Sequence, residues 1–318
     1  VSRAATRRDP AIEAVAARLG PLARRDVALG PLCTYRVGGP AALFVAAGSL
    51  ATLDTVGRAV ADSGVAVLVV GRGSNLLVAD AGFAGLALQL TDELAGVGVD
   101  GTSVHAGGAA LLPVVARHTA RAGLTGFEWA VGVPGSIGGA VRMNAGGHGS
   151  DMAASLAAAE VFDLGTGRLE TWTPERLRLG YRRSALGPGQ VVVGAGLSLR
   201  PGDAEASRAA MADIVRWRRA HQPGGQNAGS VFANPEGDSA GRLIEEAGLK
   251  GHRIGTAEVS TRHANFIQAD PAGSADDVAA LMAHVQRVVH ERTGVLLRPE
   301  NHLVGFPPGA GPLRAVRR

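Results

Sequence analysis

Residues 130–149 read AVGVPGSIGGAVRMNAGGHG, with glycine at seven of the twenty positions. Each glycine gives up more backbone freedom on ordering than any other residue and offers no side chain to pack, so the run is not expected to hold a stable helix or regular strand throughout. The expectation is a loop. A flexible linker would carry serine, proline and charge, whereas Val131, Val133, Ile137, Val141 and Met143 interleave these glycines and suggest a loop folded against a core. Glycine also permits positive φ and close approach of the main chain, so that successive backbone N–H groups converge on one anion, most often a phosphate.

A second glycine turn lies upstream. Residues 65–70, VAVLVV, form a continuous apolar run expected as a strand buried on both faces, and they empty into Gly71-Arg72-Gly73-Ser74-Asn75. The third glycine of a Rossmann fingerprint is missing, and residues 76–78 read as another short strand rather than a helix. A P-loop is excluded because no Gly-Lys-Ser/Thr follows. The two turns together suggest a nucleotide-containing cofactor held from two sides.

Length and charge narrow the class further. The 318 residues suffice for two or three domains. A sequence pI near 10.1 raises nucleic acid or a membrane surface as partners. Residues 1–25, however, hold six arginines and 306–318 hold three, leaving 23 basic against 26 acidic residues between them. The body therefore supplies no basic face for nucleic acid. The single cysteine, Cys33, forms no intrachain disulfide, no Cys/His spacing suits zinc, and no apolar run approaches the ~20 residues of a membrane span, which together suggest a metal-free cytoplasmic enzyme.

In chain order, helices are expected over 11–19, 50–63, 111–122, 207–219, 242–247 and 274–293, and strands over 41–45, 65–70, 158–163 and 191–199. The first β-α-β pattern predicts parallel pairing with a crossover. The division read from these elements is a mobile basic arm (1–25), two units that carry the glycine turns (26–95 and 96–202), a third α+β unit (203–306) and a basic tail (307–318). Arg216, Arg218 and Arg219 end the 207–219 helix, where they serve either as dipole partners or as an anion site.

Six blocks then occur in a fixed order: GRGSNLLV (71–78), GFEWAVGVPGSIGGAVRMNAGGHG (126–149), YRRS (181–184), AGSVFANP (228–235), STRHANF (260–266) and LLRPENHLVG (296–305). By this series the chain resembles the UDP-N-acetylenolpyruvoylglucosamine reductase family over about residues 26–306. The resemblance implies an α+β fold, with a two-part FAD-binding domain of the vanillyl-alcohol oxidase/PCMH type and a C-terminal α+β substrate domain. It implies non-covalent FAD, NADPH as reductant, UDP-N-acetylglucosamine enolpyruvate as substrate, and a place in peptidoglycan precursor synthesis beside other cell-wall enzymes. The short connection over 184–222 lacks the tyrosine-bearing loop of one subgroup.

Residue by residue, the resemblance assigns Arg182 to the developing enolate, Ser230 to proton donation, and Glu300 to assistance of both. Hydride chemistry needs a two-electron cofactor, since no side chain accepts a hydride, and a planar guanidinium suits a carboxylate bidentately. The cofactor positions are Gly71, Arg72, Gly73, Ser74, Asn75, Gly132, Pro134, Gly135, Ser136, Gly138, Gly139, Asn144 and Ala145, and the substrate positions are Tyr181, His221, Asn234 and His263. His263 reads equally as a core histidine. Three departures bear on anion affinity: His221 and Ala233 stand where family members commonly have lysine, and Gly147-His148 stands where Ala-Tyr is common. Two other readings stay open, an oxidase of the same fold and a flavin-binding regulator without turnover. Ser74 offers no histidine for the covalent flavin link of many such oxidases.

Overall fold

The computed structural model describes residues 9–312. The arm before residue 9 and the tail after 312 lie outside the described residues. From residue 9 the expected arm is folded: Asp9 caps the helix Pro10–Leu19, whose Ile12, Val15 and Leu19 are buried, and the chain continues into the strand Arg24–Ala28. Amphipathic spacing decided this outcome, with Arg25 held on Glu13 by two 2.8 Å hydrogen bonds.

The first unit is a four-stranded sheet in the order Arg24–Ala28, Pro40–Ala47, Phe83–Leu90, Val67–Val69. Pro40–Ala47 lies parallel to Phe83–Leu90, which in turn lies parallel to Val67–Val69, so the crossover through the helix Leu50–Val60 skips one position. Val67–Val69 is consequently an edge strand and only half-buried, contrary to the expected burial on both faces. Val67 and Val69 still pack against one core and Leu68 against another, while Val69 also lines a cavity.

The second unit is an antiparallel five-stranded sheet, ordered Arg168–Trp172, Leu156–Asp163, Gln190–Ser198, Ser103–Gly107, Val97–Asp100. The helix Leu112–Arg121 and the glycine run pack on it around Val115, Phe127, Trp129, Ile137, Val141 and Met152. The run is not wholly loop: Ile137–Met143 is helical, capped by the Ser136 hydroxyl. Glycine is tolerated there because the helix lies against the sheet backbone. A Cβ on Gly138 would come within 2.9 Å of the Val192 carbonyl oxygen. Ala204–His221 packs Met211, Ile214 and Val215 into this same core, so by packing it goes with the second unit.

In the third unit the helix Ala275–Thr293 buries Val278, Leu281, Met282, Val285 and Val289 in a core shared with the three-stranded sheet Arg253–Ile254, Ala257–Val259, Ile267–Ala269. The unit is stitched to the first. Asp80 accepts hydrogen bonds from the Ala275 and Asp276 backbone N–H groups (2.9 and 3.2 Å), and His302–Val304 pairs in parallel with Leu76–Val78 directly after the first glycine turn.

Glu128 fastens Ala204–His221 to the second unit, accepting from Ser207 Oγ (2.6 Å), Thr125 Oγ1 (2.8 Å) and the Gly126 N–H (2.8 Å). Burial alone would raise its pKa, but these hydrogen bonds outweigh it and hold the carboxyl below the ordinary value. A depressed folded-state pKa gives stabilisation that is present above the unfolded value, about 4.3, and is lost as pH falls through the folded value. Glu128→Gln should therefore lower stability at pH 7 by about 1 kcal/mol, read as a Tm loss of a few degrees. Melting curves from pH 7 to pH 3 should show the gap between variant and parent closing below about pH 4.

Candidate functional site

The two glycine turns face one another across a cavity of about 260 Å³, lined from the first unit by Val69–Arg72, Gln89 and Leu90 and from the second by Ser136, Gly138, Gly139 and Arg142. Contact between the halves is tight. A Cβ on Gly71 would sit 2.7 Å from Ser136 Oγ, and one on Gly135 would sit 3.8 Å from Ser74 Oγ. Gln89 Nε2 donates to the Gly71 carbonyl oxygen at 3.1 Å and fixes the turn. Bare backbone on both walls and guanidinium groups at the rim fit the polar, anionic middle of a dinucleotide such as FAD.

Other positions in the two turns hold the walls rather than line the cavity. A Cβ on Gly73 would meet Cys33, with its Cα at 2.5 Å, so this glycine with φ +56° lets the turn rest on 32–33. Gly132 faces Ile214, His148 and Arg218. Pro134 is exposed beside Gly135, whose carbonyl oxygen accepts from the Leu112 N–H at 3.0 Å. Asn144 is buried with φ +40°; its amide donates to Asp151 Oδ2 (3.0 Å) and the Gly180 carbonyl oxygen (3.2 Å) and accepts from the Ala153 N–H (2.9 Å). Ala145 bonds backbone to backbone with Ala140 and Met152. None of these five lines the cavity.

A second polar cluster forms where YRRS meets the end of the third unit. Gly180 and Arg183 exchange both backbone hydrogen bonds at 3.1 Å, making a tight turn with Tyr181 and Arg182 at its tip. Arg182 has φ +54°, in the left-handed region that favours glycine. Its Nε donates to Glu300 Oε2 at 3.2 Å, while Tyr181 donates to Oε1 at 2.9 Å. The Glu300 side chain is only 9% exposed, against 31% for Arg182. Its backbone is fixed on two sides: the Glu300 N–H donates to the Val231 carbonyl oxygen (2.8 Å), one residue beyond Ser230, and its carbonyl oxygen accepts from Asn75 Nδ2 (3.1 Å). Asn75 thus belongs to the first glycine turn but fixes the backbone of Glu300.

Asn234 is exposed near the cluster, its Oδ1 accepting from the Ala240 N–H at 3.1 Å and its backbone N–H lying against the Tyr181 phenol. His221 is also exposed, stacked on Trp217 at 4.7 Å with Nδ1 bonded to the Trp217 carbonyl oxygen, and His148 meets Trp217 edge-on at 5.3 Å. Burial, then the Arg218 charge, pulls the His148 pKa down. His263 packs on Gly241 and Phe266 and accepts from the Asn265 N–H at 3.2 Å, which is the arrangement of its core reading; burial lowers its pKa. The sequence analysis missed Arg142, Gln89 and Asn301, whose Nδ2 donates to Asn75 Oδ1 at 3.2 Å. A signal existed only for Arg142, the one arginine, lysine or acidic residue in the run 130–149. Among the described residues no group of three metal-ligating side chains occurs, and no helix is long and apolar enough to cross a membrane.

Two facing glycine turns on two packed units, with an arginine, a carboxylate and a phenol gathered against a third, define a flavin-dependent oxidoreductase of the two-part cofactor-domain class. Residues 41–173 match the model of an FAD binding domain, and residues 221–304 match that of the UDP-N-acetylenolpyruvoylglucosamine reductase C-terminal domain. The second match begins where packing passes to the third unit. The chain is 43% identical over 291 residues to UDP-N-acetylenolpyruvoylglucosamine reductase 2 of Symbiobacterium thermophilum, covering 90% of this chain and 94% of that one. It is 43% identical over 292 residues to the reductase of Rubrobacter xylanophilus, covering 91% and 98%. The crystal structure of the corresponding Thermus caldophilus enzyme (MurB) superposes with a TM-score of 0.78 at 38% identity, covering 89% of this chain and 99% of that one. The chain belongs to the UDP-N-acetylenolpyruvoylglucosamine reductase family.

The cluster makes a spectroscopic prediction. Burial, followed by the charge and hydrogen bond of Glu300, pushes the Tyr181 phenol above its ordinary pKa. The chain has one other tyrosine, Tyr35, fully buried and pushed further in the same direction. Ultraviolet titration of phenolate should therefore show one early-titrating tyrosine, and Glu300→Gln should move that midpoint down while leaving the second tyrosine in place. An unmoved midpoint would separate Tyr181 from Glu300.

Proposed function

We propose that this protein catalyses the NADPH-dependent reduction of UDP-N-acetylglucosamine enolpyruvate to UDP-N-acetylmuramate, with FAD as its non-covalent cofactor. The observation that carries the reading is the Arg182–Glu300–Tyr181 cluster, tied through Asn75 to the turn that lines the cofactor cavity. FAD, when bound, supplies a carrier that takes a hydride from NADPH and yields it to the enolpyruvyl carbon, which no side chain can do.

The chain's own residues do the rest. Hydride arrival at the terminal alkene carbon leaves negative charge on the adjacent carbon and its carboxylate. Arg182 stabilises that charge, because a guanidinium fixed in place before reaction costs no reorganisation as the charge develops. Glu300 orients Arg182 through Nε, and its shielding from water strengthens that hold. Ser230 donates the proton to the carbanion carbon; its hydroxyl is a weak acid, suited to a strongly basic acceptor in a site that excludes water. Tyr181 and Asn234 position the diphosphate side of the substrate, with His221 in place of the usual lysine. A cytoplasmic location, and handover of product to the next enzyme of cell-wall precursor synthesis, belong to the same proposal.

Ser230→Ala tests the assignment. In anaerobic stopped flow, flavin reduction by NADPH should proceed at the parent rate, while reoxidation by the enolpyruvyl substrate should fall by several powers of ten, on the order of a lost general acid combined with a misprotonated product. Unchanged reoxidation would remove Ser230 from the reaction.

A further inference from the structure

Arg142 lies in the last turn of Ile137–Met143, and its side chain lines the cavity between the two glycine turns. Its Nη1 donates to the Gly187 carbonyl oxygen at 3.0 Å, and its own carbonyl oxygen accepts from Ser184 Oγ at 2.7 Å, so backbone and guanidinium are both fixed. The Gly187 loop is held in turn by Gln190, whose Oε1 accepts from the Gly187 N–H at 2.8 Å. Arg72 reaches the same cavity from the opposite unit.

Position together with charge picks out this pair. Several described surface arginines find carboxylates, Arg25 pairing with Glu13, Arg176 with Glu170, Arg253 with Glu258, and Arg287 with Glu291, while others, Arg218 among them, do not; Arg142 and Arg72 are without one and also line the cavity. Neither Arg142 nor Arg72 pairs with any carboxylate, although Arg142 is half-buried and burial pulls its pKa down. A desolvated guanidinium bonded to one neutral carbonyl is incompletely compensated, and an anion in the cavity is the partner that compensates it. Planar guanidinium groups bind phosphate oxygens bidentately, and two of them on opposite walls match two linked phosphates.

We propose that Arg142 and Arg72 form a clamp for the diphosphate of the dinucleotide cofactor, one arm from each unit. The inference rests on the FAD reading above and assigns these residues to binding, not to the chemistry. It explains why the glycine run carries one arginine at position 142, where the helix returns toward the cavity.

The test compares FAD with riboflavin, which lacks both the diphosphate and the adenosine. Holoenzyme is prepared, and the dissociation constants of FAD and of riboflavin, which has no phosphate, are measured by flavin fluorescence after exchange. R142Q should weaken FAD by about 10- to 100-fold, the effect of one lost charge-assisted contact, and leave riboflavin unchanged. R142K, which keeps the charge but loses the fork, should fall between parent and R142Q. R72Q, altered at an exposed turn position, should also weaken FAD alone and carries the test if R142Q does not fold. Equal weakening of both flavins, or FAD affinity equal to the parent in R142Q and R72Q, overturns the clamp. A parent protein that binds riboflavin and FAD equally also overturns it. A parent that binds no flavin instead overturns the proposed function on which the clamp rests.

Discussion

The position of Glu300 depends on Asn75. Its side-chain amide donates to the Glu300 carbonyl oxygen and accepts from Asn301, and its backbone carbonyl oxygen accepts from the His302 N–H at 2.8 Å. One residue of the first glycine turn therefore holds three consecutive residues, Glu300 to His302, that lead into the last strand. These are mutually supporting bonds in a partly buried place, where an unmet polar group is costly, so the strand cannot shift without breaking all of them. Because Glu300 in turn holds Arg182 and Tyr181, the turn that walls the cofactor cavity also sets the geometry of the proposed chemistry.

Close backbone approach explains the glycines better than flexibility does. Gly71 is bare because Ser136 comes against it, Gly138 because the helix lies on the Val192 carbonyl, and Gly73 because the turn rests on Cys33. The phosphate-turn argument and the packing argument make the same demand on sequence, a residue without a Cβ, and only the three-dimensional arrangement separates them. That is why Gly73 and Gly132 were legible as important positions but not as structural ones. The Cys33 thiol in this contact is buried and pushed up to about 11 by desolvation, so it packs as a small apolar group.

The order of elements and the parallel crossover were legible from apolar spacing, and the motif series named Arg182 and Glu300, which the structure pairs, together with Ser230. What was not legible follows from tertiary context. Residues 67–69 carry the composition of a buried strand yet lie half-buried at a sheet edge, where Val67 and Val69 pack on one core and Leu68 on another. The helix Ile137–Met143 forms against propensity, since Ser136 caps it and the sheet supports it. Asn144 entered as a cofactor position through the family resemblance; in the structure it is a left-handed cap that ties the hairpin Gly146–Asp151 to the YRRS turn. Arg142 was hidden by its apolar neighbours, and its lack of a carboxylate can be read only in space.

The visible spectrum of the purified protein under anaerobic conditions tests the account most directly, before NADPH, after it, and then after UDP-N-acetylglucosamine enolpyruvate. The account predicts a yellow protein that bleaches with NADPH and regains its colour with the enolpyruvyl substrate in the absence of oxygen. Recolouring that requires oxygen would contradict the assigned acceptor and favour an oxidase. A protein that stays colourless after reconstitution with FAD would contradict the cavity assignment itself.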